Sequence, residues 1–385
     1  MAKFNKLDQS DYYKLILRCV HCGFCLQSCP TYRVLGIEAD SPRGRLYLTR
    51  AMVDKRIDIA KDVANHLYKC TMCANCEIAC PSAVKYTDIM FITREIMAEA
   101  NAVPLGAEQL VNTINNAKNI FMMDNTLRKD WVIYTGVEAP IKDKADMVYF
   151  VGCVTSYSGR IQGVAQAIAS ILNYVGEDWT LLKDEWCCGH PLKLEGATKE
   201  FKKVAEHNVK MIEETGATKV VSGCPGCCLA LKKEYPEVLG RKLNFEVLHF
   251  SQILDEYIKK GKLKIPKFES KVTYHDPCEL GRILGIINEP RRVIKSISDK
   301  FVEPIERGKE GFCCGGGGLL KVTDSQLSES IANKRLEMLI KTGAEVIISA
   351  CPTCYQSLAD ATSRKNKALQ VIDIAELIAQ RLGLM

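Results

Sequence analysis

Nineteen cysteines in 385 residues dominate the chemistry this chain can do. Ten of them form two matched sets of five. Cys153, the pair Cys187–Cys188 and the ends of CPGC, Cys224 and Cys227, make the first. Cys278, the pair Cys313–Cys314 and the ends of CPTC, Cys351 and Cys354, make the second. Cys278, Cys313 and Cys351 follow Cys153, Cys187 and Cys224 by 125, 126 and 127 residues, so the chain carries a duplicated unit. Five thiols per unit exceed the four that one zinc ion takes. A redox dithiol or a structural zinc would also leave the adjacent pairs unexplained, since neighbouring cysteines do not easily bridge one small ion. Ten thiolates in two sets predict two unusual polynuclear iron–sulfur centres, one per unit.

Eight further cysteines sit in two runs of one pattern. Residues 19–30 read CVHCGFCLQSCP and residues 70–81 read CTMCANCEIACP, both C-x2-C-x2-C-x3-C-P. In bacterial-type ferredoxins this run wraps three thiolates around one [4Fe–4S] cubane and sends the fourth to its neighbour. The pattern assigns Cys19, Cys22, Cys25 and Cys80 to one cubane, and Cys70, Cys73, Cys76 and Cys29 to the other. Zinc knuckles also use C-x2-C pairs, but zinc gains nothing from the third step or the trailing proline. Two cubanes that exchange ligands form an electron wire whose potentials follow burial and hydrogen bonds to sulfur. Cys228 has no counterpart in the second unit, where Tyr355 stands, and reads as a spare buried thiol.

These thiols need elements to position them. Helical periodicity over 47–69 places the ferredoxin-type runs in loops between short helices. Residues 87–100 and 105–121 read as helices broken at Pro104, and the polar stretch 124–144 as a domain linker. Beyond it, short β-branched runs alternate with helical periods in both units. Strands are expected at 147–151, 180–182, 220–222 and 246–250, then at 272–275, 301–303, 346–349 and 371–374. Helices are expected at 159–175, 197–215, 229–235 and near 291–297, with one more running from a capping box at Thr323 and Gln326 to Thr342. Such alternation argues for parallel α/β units. The lone cysteine and the C-x2-C of each unit follow strand C-termini, the edge where open α/β sheets bind ligands. Gly315–Gly318 would let backbone N–H groups approach a cluster closely.

The net charge of +6 is mild and spread without a long basic run, which argues against a nucleic-acid partner. The polar start and the lack of a long apolar run predict a cytoplasmic chain, one that a partner could hold at the membrane's inner face. Its length, its odd cysteine count and the lack of a secretion signal argue against a disulfide scaffold.

The two CCG units, YHDPCELGR at Tyr274–Arg282 and CCGGGG at Cys313–Gly318 resemble heterodisulfide reductase. The order of ferredoxin part then CCG part resembles its fused D-type subunit, equivalent to the C-type and B-type subunits joined. The resemblance implies an α+β multidomain chain: a helical ferredoxin-like domain over 1–100, a helical linker over 101–145, and CCG domains with parallel sheets over 146–265 and 266–385. It implies that the ten repeated cysteines hold two noncubane [4Fe–4S] clusters fed by the two cubanes. The implied substrate is the coenzyme M–coenzyme B disulfide. The implied partner is an electron-donating subunit, either a membrane cytochrome b or a soluble flavin or iron–sulfur protein. That disulfide is anionic, so Lys193, Arg282 and Lys321 are candidate binding residues and His190 a candidate proton donor. All four could equally be surface cations or, for His190, a structural histidine. The same architecture resembles iron–sulfur subunits of glycolate, lactate and anaerobic glycerol-3-phosphate dehydrogenases, which pass electrons from a flavoprotein to quinone.

Overall fold

The β-branched runs of each cysteine-rich unit become four short strands. In the computed structural model, which describes residues 9–133, 136–365 and 369–385, the first unit holds β1 (Met147–Tyr149), β2 (Trp179–Thr180), β3 (Lys219–Ser222) and β4 (Glu246–His249). The second holds β5 (Val272–His275), β6 (Phe301–Val302), β7 (Val346–Ser349) and β8 (Gln370–Asp373). Both sheets are parallel, ordered β2-β1-β3-β4 and β6-β5-β7-β8. Strands such as β5 and β7 are buried throughout, as expected when helices cover both faces. The duplication seen in the cysteine spacing is therefore a duplication of fold.

The two units share one hydrophobic core. Tyr149, Ile168 and Leu172 of the first lie in the same cluster as Ile348, Leu377 and Ile378 of the second. Helix Gln162–Tyr174 packs on helix Ile374–Arg381, which joins the two halves. Each fully buried aliphatic side chain is worth about 1.5–3 kcal/mol, so this contact holds the units in one relation.

The N-terminal part is helical, with Pro42–Val53, Lys61–Tyr68 and Tyr86–Glu99 framing the two cysteine runs. Arg94 docks it on the rest. Its guanidinium, fully buried, donates to the carbonyls of Leu194 (2.8 Å), Gly318 (3.1 Å), Leu67 (3.2 Å) and Cys70 (3.0 Å). Among the described residues, no helix is long and apolar enough to cross a membrane.

Several expectations need correction. The helix Ser325–Ile340 is capped by Asp324, whose carboxylate accepts the Leu327 N–H at 3.0 Å, and not by Thr323, which closes a short preceding helix. The stretch 124–144 is no free linker. Asn125–Val132 forms a 3-10 helix whose Trp131 and Arg128 are buried against the first unit. Residues 134–135 of that stretch, and the polar start over 1–8, lie outside the described residues. The single helix expected at 229–235 is three short pieces with a π-helical turn at Ala230–Glu234, and a second π-turn at Glu279–Ile283 follows Cys278. Helices Phe250–Lys259, Pro352–Arg364 and Ile374–Arg381 were not legible as periods.

Candidate functional site

Each unit delivers its five thiols in the same chain of contacts. In the first, Cys153 touches Cys187, Cys187 touches Cys188, Cys188 touches Cys227 and Cys227 touches Cys224. In the second the order is Cys278, Cys313, Cys314, Cys354 and Cys351, with Cys314 Sγ and Cys354 Sγ 3.2 Å apart. The lone cysteines and the C-x2-C pairs follow β1, β3, β5 and β7, so the sheet edge gathers them as the spacing predicted. Nine of the ten line one cavity of about 330 Å³ between the units. Cys313 is the exception, buried behind it.

Thiol contacts and then burial push Cys153, Cys227, Cys313 and Cys354 well above the ordinary thiol range, while the same kind of contact pulls Cys188 and Cys314 down. Buried thiols this crowded suit a polynuclear metal centre, which stabilises thiolates outright. The backbone suits one too. The N–H groups of Gly315 and Gly316 point at Cys313 Sγ (3.4 Å) and Cys314 Sγ (3.5 Å). Gly152 has φ +81°, and a Cβ there would meet Cys227 Sγ at 3.0 Å. Gly318 serves another contact: a Cβ would strike the Cys70 carbonyl at 2.2 Å, so the glycine loop lies directly on the second ferredoxin-type run.

The two ferredoxin-type sets also assemble. Cys19, Cys22, Cys25 and Cys80 line one small cavity near the surface, with Cys22 exposed. Cys29, Cys70, Cys73 and Cys76 are buried together. Arg45 faces this second set. Its Nε donates to the His66 carbonyl at 2.7 Å, and both Nη atoms are buried without a hydrogen bond near Tyr86, Cys70 and Cys29. Orphaned donors of a buried cation beside four thiols are what an anionic cluster would satisfy.

The four non-cysteine candidates separate. His190 lines the central cavity, its Nδ1 3.0 Å from Glu234 and its Nε2 3.2 Å from Glu279. Burial pushes the imidazole down, but the two carboxylates outweigh it and hold it well above the usual histidine range. Lys321 also lines the cavity, its Nζ 3.4 Å from Gln356 Oε1. Lys193 does not. Its ammonium is spent on Glu237 (2.8 Å) and Glu234 (3.8 Å), with the Phe91 ring beneath it. Arg282 is likewise turned away, toward the carbonyls of Cys73 (2.6 Å), Lys309 (2.9 Å) and Gly311 (2.5 Å). Both carry charge near a motif, and charge says nothing about direction.

Other residues around the centres carried no clear signal. Glu185 accepts the N–H groups of Val151 and Gly152 and pairs with Arg128 at 2.9 Å, which in turn points Nη2 at Cys153 Sγ at 3.5 Å. In the second unit Arg335 Nε donates to His275 Nδ1 at 3.0 Å. The ring's proton is thereby placed on Nε2, which is buried with no hydrogen-bond partner. The ligand atoms of His275, Cys314 and Cys354 lie within 4.8 Å of one another. His275 and Glu279 lie within YHDPCELGR and were open to notice. Arg128, Glu234 and Arg335 were not.

Family models match the chain as a 4Fe–4S dicluster domain over residues 16–84 and a cysteine-rich CCG domain over residues 147–232 and 272–359. Fold and motifs together define an iron–sulfur oxidoreductase of the CCG class. The D-type subunit of the dihydromethanophenazine:CoB–CoM heterodisulfide reductase of Methanosarcina acetivorans is 34% identical, with 95% of this chain and 94% of that one covered. The chain belongs to this family of heterodisulfide reductase D-type subunits. An EtfAB:quinone oxidoreductase of Syntrophomonas wolfei is 27% identical over 94% of this chain and 57% of its own length. Among solved structures, a Helicobacter pylori hypothetical protein shares the fold with a TM-score of 0.58 at 10% identity, covering 100% of this chain and 73% of that one.

Proposed function

We propose that this chain reduces a small anionic disulfide, the coenzyme M–coenzyme B heterodisulfide, to its two thiols. The observation that carries this reading is the cavity that both five-cysteine sets line, so that the two sets open on one shared space. Noncubane [4Fe–4S] clusters held by the two sets, and cubanes held by the two ferredoxin-type runs, would supply electrons one at a time.

The chain's own residues do the rest. Leu110, Ile120, Phe121 and Leu319 give the cavity apolar walls. Lys321 offers an ammonium to an anionic group of the substrate. His190, held between Glu234 and Glu279, keeps a proton on each ring nitrogen at the cavity wall, which Glu279 also lines. The first run, where Cys22, Val20 and Phe24 are exposed, offers an entry point for an electron-donating subunit, a membrane cytochrome b or a soluble flavin or iron–sulfur protein.

A second reading is electron transfer from a flavoprotein to quinone, as in glycolate, lactate or glycerol-3-phosphate dehydrogenase complexes. The largely apolar cavity and the relative named as a quinone oxidoreductase favour it. The test is anaerobic purification with iron and sulfide quantified, then turnover of the heterodisulfide with an artificial one-electron donor. Turnover supports the first reading. Four intact centres without turnover, together with a copurifying flavoprotein, would replace it with the second.

A further inference from the structure

Resting on the cluster reading above, we propose that Arg282 is a positioning residue that couples the second ferredoxin-type centre to the second cysteine-rich centre, so that electrons enter the cysteine-rich half through its second unit alone. Three observations meet at this side chain. First, it ties two distant segments together: Nε donates to the Cys73 carbonyl at 2.6 Å, while Nη1 donates to Gly311 at 2.5 Å, just before the Cys313–Cys314 pair. Second, its Nη2 is buried with no partner in a setting whose negative or ionisable neighbours are, in order of weight, the thiols of Cys73, Cys278 and Cys313 and then the Asp276 carboxylate. Third, the thiols of Cys73 and Cys313 are near neighbours, each affecting the acidity of the other.

The first unit has none of this. Four residues after its lone cysteine stands Tyr157 where the second unit has Arg282, and the tyrosine hydroxyl bonds Asn125 at 3.2 Å, away from the ferredoxin-type runs. The neighbours that weigh most on Cys153, Cys187, Cys188, Cys224 and Cys227 are the thiols of their own unit, Arg128, Glu279 and nearby backbone N–H groups. Cys313, the one repeated cysteine absent from the central cavity, is the one that faces Cys73. The two cysteine-rich centres are thus inequivalent. One receives electrons across the Cys73–Cys313 contact, and the other is reached only through the first.

A guanidinium charge beside a cluster stabilises its reduced, more negative state, so it raises the potential of the centres it lies against. The test uses the full chain, purified anaerobically with its iron, as wild type, Arg282→Gln and Arg282→Lys. Potentiometric titration followed by paramagnetic resonance reads each centre. In Arg282→Gln two potentials should fall while the other two stay in place. In Arg282→Lys, which keeps the charge without the fork, both should return toward wild type while electron passage from the cubanes to the cysteine-rich centres stays slow. Four unmoved potentials, or four that move together, would overturn the proposal and leave the cluster reading standing. Wild-type protein lacking iron at the second run would sink that reading, and this proposal with it.

Discussion

Arg94 offers the sharpest quantitative test of how the ferredoxin-like part is held. Arg94→Met keeps most of the aliphatic stem and removes the donors to four buried carbonyls, at Leu67, Cys70, Leu194 and Gly318. A buried acceptor left unsatisfied costs about 1–3 kcal/mol. Part of this is offset, because burial disfavours the charged guanidinium and lowers its pKa. The contact with the Tyr68 ring, 4.4 Å from its centroid, is lost as well. The net loss is about 4 kcal/mol, roughly a thousandfold in the equilibrium between docked and locally opened states. Hydrogen exchange reads it directly at the amides of Leu320, Val322 and Thr323, which bond to Gly317 and Leu319 in the loop that Arg94 clamps. These amides should exchange about a thousandfold faster in the variant, whereas amides in β3 should not change. Arg94→Lys, with one donor group in place of a fork, should fall between. Protection at residues 320–323 within about tenfold of wild type would mean that Arg94 does not hold this junction.

Further outcomes follow from other parts of the molecule. His249 is fully buried, with Nε2 on the Gly223 carbonyl at 3.1 Å and Nδ1 accepting the Ser251 N–H at 3.1 Å, and burial lowers its pKa to about 4. The unfolded chain takes up that proton near pH 6.5 and the folded one does not. This contribution is therefore whole above 6.5 and lost as pH falls toward 4, by up to about 3 kcal/mol. Denaturant titrations of His249→Asn, which keeps a capping side chain, should show a flatter profile over that window. Lys321→Gln should raise KM for an anionic disulfide by about tenfold with kcat held, and equal losses in both would place Lys321 in the chemistry instead. Cys314→Ala should lower the iron content by about four per chain and leave the ferredoxin-type signals intact, and loss of every centre would show that the sites are not independent.

Much of this protein was decided by local spacing. Iron–sulfur ligation depends on how many thiolates lie within reach and at what intervals, and those intervals are written in the chain: the two C-x2-C-x2-C-x3-C-P runs, the repeated five-cysteine sets and their near-constant offset. Strands such as Val272–His275 and Val346–Ser349 were legible for a similar reason, as short β-branched runs with clear ends. What the tertiary structure alone decided is direction. Lys193, Arg282 and Lys321 look alike in the sequence, yet only Lys321 faces the cavity. Arg282 is swung by a π-turn onto Cys73, a residue 209 positions away. Arg128, in a stretch that reads as linker, reaches Cys153, and Glu234 reaches His190 from another π-turn. The orientation of a charged side chain is set by the carbonyls and counter-charges that distant segments bring to it, and no local pattern encodes those.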